Sequence, residues 1–399
     1  MRRPSVPLVH RVLVALALLS VVLSGPVVAQ DDVAAIIARI EGPQKPDRQG
    51  FDGLTIEEMM TRFRLPRMTI AAIKAFNVHW AKGYGVADVT TGRRVETNTP
   101  FQAASISKPV TAMAVVKLAQ EGKLSLDQDV NALLTSWRVP ESEFTRVQPV
   151  TLRSLLSHTS GADDGFGFPG YKPDAPRPTL VQLLNGEKPS NVGPVRFARP
   201  VYAGQKYSGG GTEIVQLTLT DLTKKPFAQL MQETVLGPIG MTESSFEQPP
   251  VGVLAERTAR AHSPGDTAMD TKWHVYPEQA AAGLWTTATD LAKFAWRFGA
   301  AARAPAGKVL WGVSAREMIA PTGLGSFAVG LMVEKRGEGW YFMHSGGNWG
   351  FSCNMIAHVR KGYGVVIMIN GGSGPLIREV EERVAAAYGW DNLDKPIPR

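Results

Sequence analysis

Cysteine is almost absent from this chain of 399 residues, which contains a single one, Cys353. One thiol excludes an internal disulfide, a zinc site built from several cysteines and a lipid-anchored N-terminal cysteine. The seven histidines are scattered and no H-E-x-x-H motif occurs, so neither a metal nor another cofactor is expected. A G-x-S-x-G motif is also missing, which removes support for an α/β-hydrolase nucleophile.

One glycine pattern, GFGFPG at 165–170, matches the G-x-G-x-x-G form of dinucleotide-binding loops. Such a loop needs a strand before it and a helix after it, whereas Pro169 lies in a proline-rich stretch. We therefore interpret this match as accidental.

Long apolar runs and blocks of like charge are missing as well. Three arginines, Arg2, Arg3 and Arg11, precede an uncharged run over 12–23, which is shorter than the roughly 20 residues of a membrane-spanning helix. A small-residue site follows, so we predict a signal peptide over 1–29, cleaved near Ala29, and a bacterial periplasmic or secreted protein without a permanent membrane anchor. Loss of the three arginines lowers the net charge from +7 to +4, and no nucleic-acid partner is expected.

Strand-like and helical patterns divide the remaining chain, 30–399, which we interpret as one domain. Early strands, a helical middle and late strands predict an α+β fold, with an antiparallel sheet flanked by helices. The sheet lobe covers about 54–120 and 275–399, and an inserted helical lobe covers about 121–274. The predicted elements are a hairpin from Met68 through NVHWAKGYGVAD, strands at Phe327–Glu334, Trp340–His344, Phe351–His358 and Gly364–Ile369, and helices at Val33–Ile40, Ser105–Gln120, Thr212–Thr223, after Thr287 or Thr289, and Leu376–Tyr388.

A serine and a lysine stand three residues apart in ASISKPVTAM. At that spacing Ser105 and Lys108 share one face of the predicted helix. The apolar flanks would desolvate the Lys108 ammonium and lower its pKa, so that the amine could deprotonate Ser105. The alternative is a lysine that extends from a helix start to solvent, and the four-residue motif alone does not decide between them.

Two later stretches strengthen the catalytic interpretation. Tyr207, in YSGGG, precedes a predicted helix on a loop whose glycines let the backbone approach a ligand. His344, in HSGGNWGF, ends a predicted strand, where free N–H groups could complete an oxyanion hole. Each residue alone could be structural, Tyr207 as a packing residue and His344 as a buried histidine.

Taken in order, nine stretches of the chain resemble the penicillin-recognising serine hydrolases. That group contains class C β-lactamases, DD-peptidases, and esterases and amidases of the same fold, and the resemblance covers about 65–390. The stretches are GYGVAD, ASISKPVTAM, GKLSLDQDV, TLRSLLSHTSG, YSGGG, VLGPIGM, AAGLWTTATDLAKF, HSGGNWGF and VVIMING.

The resemblance implies a β-lactamase/transpeptidase-like α/β sandwich, with the active site between the sheet and the helical lobe. It implies that Ser105 is the nucleophile, Lys108 its base and Tyr207 a proton shuttle to the leaving group. His344, Ser345 and Gly346 would form the third motif, and the N–H groups of Ser105 and Gly347 the oxyanion hole. The implied partner is a small-molecule or peptide-like substrate, cell-wall fragments included.

Two positions depart from the pattern of this group. The tyrosine motif usually ends in an asparagine that holds the substrate's amide carbonyl, where this chain has Gly209. The third motif of β-lactamases usually begins with lysine, where this chain has His344. An esterase or D-amino-acid peptidase is therefore expected ahead of an efficient β-lactamase. A β-lactamase or DD-carboxypeptidase proper, and a non-catalytic relative that binds cell-wall ligands, remain the alternatives.

Overall fold

The computed structural model describes residues 33–45, 50–65, 67–164, 167–263, 267–337 and 339–390. The predicted signal peptide lies outside the described residues. No helix within these ranges combines the length and the hydropathy needed to cross a membrane. In the same ranges, no group of three or more histidine, cysteine, aspartate or glutamate side chains is arranged to hold a metal ion.

Both ends of the chain contribute strands to one antiparallel sheet. The predicted early hairpin forms from the first two strands, and the first strand pairs with the last, from Met68 opposite Ile369 to Ile73 opposite Gly364. The strand order is β3-β2-β1-β9-β8-β7-β6, with a separate two-stranded pair, β4-β5. The strands are β1 (Arg67–Lys74), β2 (Asn77–Asp88), β3 (Arg93–Arg94), β4 (Phe101–Gln102), β5 (Trp285–Thr286), β6 (Met332–Arg336), β7 (Gly339–Asn348), β8 (Phe351–His358) and β9 (Gly364–Ile369).

Helices cover both faces of the sheet, which confirms the predicted α+β class. They are α1 (Val33–Glu41), α2 (Ile56–Arg62), α3 (Ser107–Gln120), α4 (Leu152–Leu156), α5 (Leu180–Asn185), α6 (Gly209–Thr223), α7 (Phe227–Met231), α8 (Gly237–Ile239), α9 (Gly252–Arg257), α10 (Gln279–Ala282), α11 (Ala288–Arg303), α12 (Gly312–Glu317) and α13 (Gly374–Tyr388). Short 3-10 turns occur at Ala104–Ile106 and Val130–Ala132, and one π turn at Gln232–Leu236.

Alternating side chains along the strands feed two hydrophobic cores, as the pleat of a sheet requires. On one face, Phe342 and Val366 join the larger core, which contains residues of α3, α6 and α11. On the other face, Tyr341 and Ile367 join the core shared with α1, α2 and α13. Successive residues of β7 therefore face opposite layers of the molecule, which decides which residues of the predicted third motif can reach Ser105.

Most predicted helix ends agree with the structure, and three elements differ. Strand β6 begins at Met332, five residues after the predicted start at Phe327, because the chain turns over 328–331, where the Ala328 N–H donates to the Leu331 carbonyl at 2.8 Å. Thr287 is the N-cap of α11, where its hydroxyl accepts a hydrogen bond from the Asp290 N–H at 3.1 Å. Helix α6 begins at Gly209, three residues before the predicted start, because the Ser208 hydroxyl caps it by accepting the Gly211 N–H at 2.7 Å. Strand β7 continues four residues past the predicted end, because its pairing with β8 holds both glycines of the HSGG motif in extended form.

Candidate active site

Ser105 lies in the 3-10 turn immediately before α3. Ala104 adopts a left-handed backbone with a φ of 47°, a conformation that costs a residue other than glycine about 1–3 kcal/mol. Within 103–110, all of which the structure describes, Ser105 is the one residue that is not buried. The strained turn thus keeps the Ser105 hydroxyl accessible while its neighbours pack inward.

Lys108 extends along the same turn, and its ammonium lies beside the serine. Its Nζ is 3.2 Å from Ser105 Oγ and 3.0 Å from the Ala281 carbonyl oxygen, and the residue is 3% exposed. The same nitrogen lies 4.9 Å from the centre of the Tyr207 ring. A lysine extended to solvent is therefore ruled out, because Lys108 is buried against the Ser105 hydroxyl, a carbonyl and an aromatic ring.

Tyr207 is held at the start of α6 by a group of rings. Its ring centre is 4.4 Å from His158, 5.6 Å from Phe327 and 6.4 Å from His344. A rigid ring cluster of this kind fixes the tyrosine relative to Lys108, whose charge also interacts with the ring face. The three residues predicted as nucleophile, base and proton shuttle are therefore brought together by the fold.

His344 is buried on the same side of the sheet and is uncharged. Its Nδ1–H donates to the Ser345 carbonyl at 2.6 Å, which leaves Nε2 as the acceptor. Burial and, secondarily, the positive charge of Lys108 lower the pKa of His344 to about 3. No side chain among the described residues hydrogen-bonds to Nε2. The third motif thus offers a neutral acceptor, because a pKa near 3 keeps His344 uncharged at neutral pH.

Strand β7 approaches the nucleophile turn so closely that Gly346 has room for no side chain. A Cβ at this position would lie 2.3 Å from the Ala103 carbonyl oxygen and 2.8 Å from Cys353 Sγ. Contacts this short would force the strand away from Ser105. Gly346 therefore sets the distance between the strand and the turn that carries the nucleophile.

The far end of β7 presents an open edge beside Ser105. The ladder between β6 and β7 ends at the pair Met332–Met343, whereas β8 continues to pair as far as Asn348. The Asn348 side chain donates to Gln102 Oε1 at 2.9 Å and to the Ala282 carbonyl at 3.0 Å, which anchors the strand end. Gly347 lies on this exposed end.

Ser345 alternates to the opposite face of the sheet from His344 and Gly346. It pairs across the ladder with Asn354 and, together with Arg336 and Arg378, lines a cavity of about 580 Å³ under α13. The predicted contribution of Ser345 to substrate binding is therefore not supported for its side chain.

Helix α10 carries the Ala281 carbonyl that accepts the hydrogen bond from Lys108. Buried side chains of α6 hold α10 in place. Glu213 Oε1 accepts the Ala281 N–H at 3.3 Å, and Gln216 Oε1 accepts the Ala280 N–H at 2.7 Å. Burial raises the pKa of Glu213 well above its usual range, and the charge of nearby Glu278 adds to this. These two side chains of α6 indirectly hold Lys108 in place.

His158 and Glu213 belong to this site, although the sequence offers only a weak signal for them. His158 falls in the quoted stretch TLRSLLSHTSG, and its left-handed backbone (φ 57°) and burial place its ring on Tyr207. Its Nδ1 accepts the Ser208 N–H at 3.2 Å, and burial lowers its pKa well below the usual value. Glu213 had no motif to mark it, because its role depends on contacts with a helix 65 or more residues away in the sequence.

Comparison with known proteins agrees with this geometry. The family described as Beta-lactamase matches residues 51–389. Protein flp of Staphylococcus aureus (strain N315) is 27% identical over 195 residues, 48% of this chain and 37% of that protein, so the match spans well under half of the curated relative.

Two solved structures share the fold over most of both chains. D-alanine carboxypeptidase AmpC from Burkholderia cenocepacia has a TM-score of 0.65 at 18% identity, covering 89% of this chain and 99% of that one. D-amino acid amidase from Ochrobactrum anthropi SV3 has a TM-score of 0.66 at 20% identity, with the same coverage of both chains. The family match over 51–389, on a fold that sets a lysine beside an accessible serine, shows that this chain is a serine hydrolase of the beta-lactamase family.

Proposed function

We propose that the chain cleaves an ester or amide bond through an acyl-enzyme on Ser105. The observation that carries the proposal is the 3.2 Å separation between Nζ of the buried Lys108 and Oγ of the accessible Ser105. In its neutral form the Lys108 amine takes the hydroxyl proton as Oγ bonds to the substrate carbonyl carbon. The carbonyl π pair moves to oxygen, where the N–H groups of Ser105 and Gly347 receive it.

Collapse of this intermediate breaks the bond to the leaving group. Tyr207 is the proton shuttle in our proposal, since its ring lies over the Lys108 nitrogen that has just accepted the proton. The leaving oxygen or nitrogen gains that proton, and the acyl group stays on Ser105. The same groups then deprotonate a water molecule, whose oxygen bonds to the acyl carbon. The bond between that carbon and Ser105 Oγ breaks, the acid leaves, and Oγ regains a proton.

The proposed substrate class rests on the two positions, 209 and 344, at which this chain departs from the usual motifs of the family. A neutral His344 and a glycine at position 209 leave this side of the site without the fixed cation and the amide donor that the family's motifs usually carry. Esters remain candidates because they need neither group, and the similarity to a D-alanine carboxypeptidase and a D-amino acid amidase adds D-amino-acid amides or peptides. A non-catalytic ligand-binding role has no support in a site that keeps serine, lysine and tyrosine together.

We expect kcat/KM for esters to exceed kcat/KM for β-lactams by about 10²-fold or more. A site that lacks a hydrogen-bond partner for a polar group of its substrate disfavours that substrate by a factor of this order. The test compares kcat/KM for nitrophenyl acetate and nitrocefin on the same preparation. A nitrocefin kcat/KM above that of the best ester would show that positions 209 and 344 do not decide the substrate class.

The His344→Asn variant is expected to keep the pH dependence of kcat/KM that the wild type shows. Burial and the charge of Lys108 lower the pKa of His344 to about 3, so this side chain does not change charge between about pH 5 and 8. A pH profile of the variant that differs from that of the wild type would show that His344 titrates in the active site.

Acid stability needs a separate control in that experiment. A histidine whose folded pKa lies below its unfolded value near 6.5 destabilises the fold as the pH falls from about 6.5 toward the folded pKa. Melting temperatures measured at each pH therefore separate loss of activity by unfolding from a direct effect of pH on catalysis.

Export to the periplasm or the medium is part of the proposal. It is supported by the N-terminal pattern ending at Ala29. N-terminal sequencing of the protein recovered from a bacterial periplasmic fraction tests it.

A further inference from the structure

The ring of Phe168 occupies the space into which a side chain at position 209 would project. A Cβ on Gly209 would lie 2.7 Å from Cε2 and 2.8 Å from Cζ of Phe168. Gly209 follows Tyr207 by two residues and is the position where the family's motif usually has asparagine. A half-buried aromatic ring therefore stands where the related enzymes carry an amide.

Two described residues near Phe168 make polar contacts with the rest of the structure. Asp164 accepts hydrogen bonds from the Ser208 hydroxyl and from the Gly210 N–H, the latter at 2.6 Å. The carbonyl of Pro169, the residue after Phe168, accepts a hydrogen bond from His274 Nδ1 at 2.9 Å. This last contact anchors the backbone next to the Phe168 ring.

The same contacts continue to the open end of β7. The rings of His274 and Trp349 stack with centres 3.8 Å apart and planes 5° apart. Trp349 follows Gly347 by two residues, and its N–H donates to the Tyr276 hydroxyl at 2.9 Å. Phe168 beside Gly209 and the stacked pair His274–Trp349 are thus linked through the Pro169 carbonyl, and we call these three residues the aromatic wall.

We propose that Phe168 is a specificity-determining residue, and that the aromatic wall selects substrates whose acyl group is apolar over substrates whose acyl group carries an amide. Burying apolar acyl atoms against the ring is favourable. An amide carbonyl placed there would give up water for a site with no donor side chain at position 209. This inference rests on the proposed acyl-enzyme function and narrows its substrate class.

The test uses three nitrophenyl esters: acetate, phenylacetate and N-acetylglycinate. The wild-type chain is expected to have its highest kcat/KM with the phenylacetate ester. Phe168→Ala should lower the phenylacetate-to-acetate ratio of kcat/KM about tenfold, the size of effect typical of lost apolar contacts in a pocket, while acetate turnover stays within about threefold. Trp311→Ala is the matched control and should leave the ratio unchanged, because this exposed aromatic residue precedes α12 and its N–H donates to Gln120 at the C-terminal end of α3.

A double variant, Phe168→Ala with Gly209→Asn, tests the same point from the other side. With the ring removed, the asparagine has room and should raise relative turnover of the N-acetylglycinate ester. An unchanged phenylacetate-to-acetate ratio in Phe168→Ala, with acetate turnover intact, would overturn this inference alone. A wild-type chain inert toward all three esters would overturn the proposed function and the inference together.

Discussion

Replacement of Ser105 by alanine is expected to lower kcat/KM for nitrophenyl acetate by 10³-fold or more. The hydroxyl is the proposed nucleophile, and losses of this size are typical when one member of a cooperating catalytic unit is removed. The fold should survive, because Ser105 is partly accessible and its hydroxyl fills no core space. Steady-state kinetics together with the melting temperature measure both effects.

Ser345→Ala provides the matched control for that variant. Ser345 lies two strand positions from Gly347, yet its side chain faces the cavity under α13, so activity should stay within a few-fold of wild type. Residual activity of Ser105→Ala within tenfold of wild type would remove Ser105 as the nucleophile. A loss in Ser345→Ala as large as that in Ser105→Ala would show that Ser345 acts in the site after all.

A single methyl group added at Gly346 is expected to lower kcat/KM by about 10²-fold. The new Cβ would lie 2.3 Å from the Ala103 carbonyl oxygen, so either the strand or the nucleophile turn must move. A displacement of about 1 Å between reacting groups is enough for a loss of this size. Kinetics of Gly346→Ala on the acetate ester measure it.

Gly193→Ala is the control for Gly346→Ala, because a Cβ there would meet nothing within 4 Å. It should leave both the kinetics and the melting temperature close to wild type. Wild-type activity in Gly346→Ala would mean that the close approach of β7 to Ser105 is not required for catalysis.

The sequence predicted most of the elements that build the sheet and the chemistry of its site. Strands β8 and β9 have the predicted ends because their apolar runs are bounded by turn residues at both sides. Helix α3 ends at Gln120 as predicted, just before Gly122. These features depend on local propensity and periodicity, which a single sequence contains.

The differences come from contacts between residues that are far apart in the sequence. Strand β7 passes through two glycines because β8 pairs with it, a stabilisation that local propensity underestimates. Side chains alternate between the two faces of a strand, so Ser345 faces away from His344. The sequence did not predict this, because the predicted strand ended at His344. The position of Phe168 beside Gly209, and the contact of the adjacent Pro169 carbonyl with His274, join residues that no motif in the sequence marks.

The most direct test of the central claim is covalent labelling of the nucleophile with a fluorophosphonate, followed by intact mass and peptide mapping. We expect one adduct per chain, located on Ser105 and absent in Ser105→Ala. The adduct should form at least about 10²-fold more slowly in Lys108→Met, because the lysine removes the hydroxyl proton. Labelling of a different residue, or equal labelling rates in wild type and Lys108→Met, would contradict the claim that Lys108 activates Ser105.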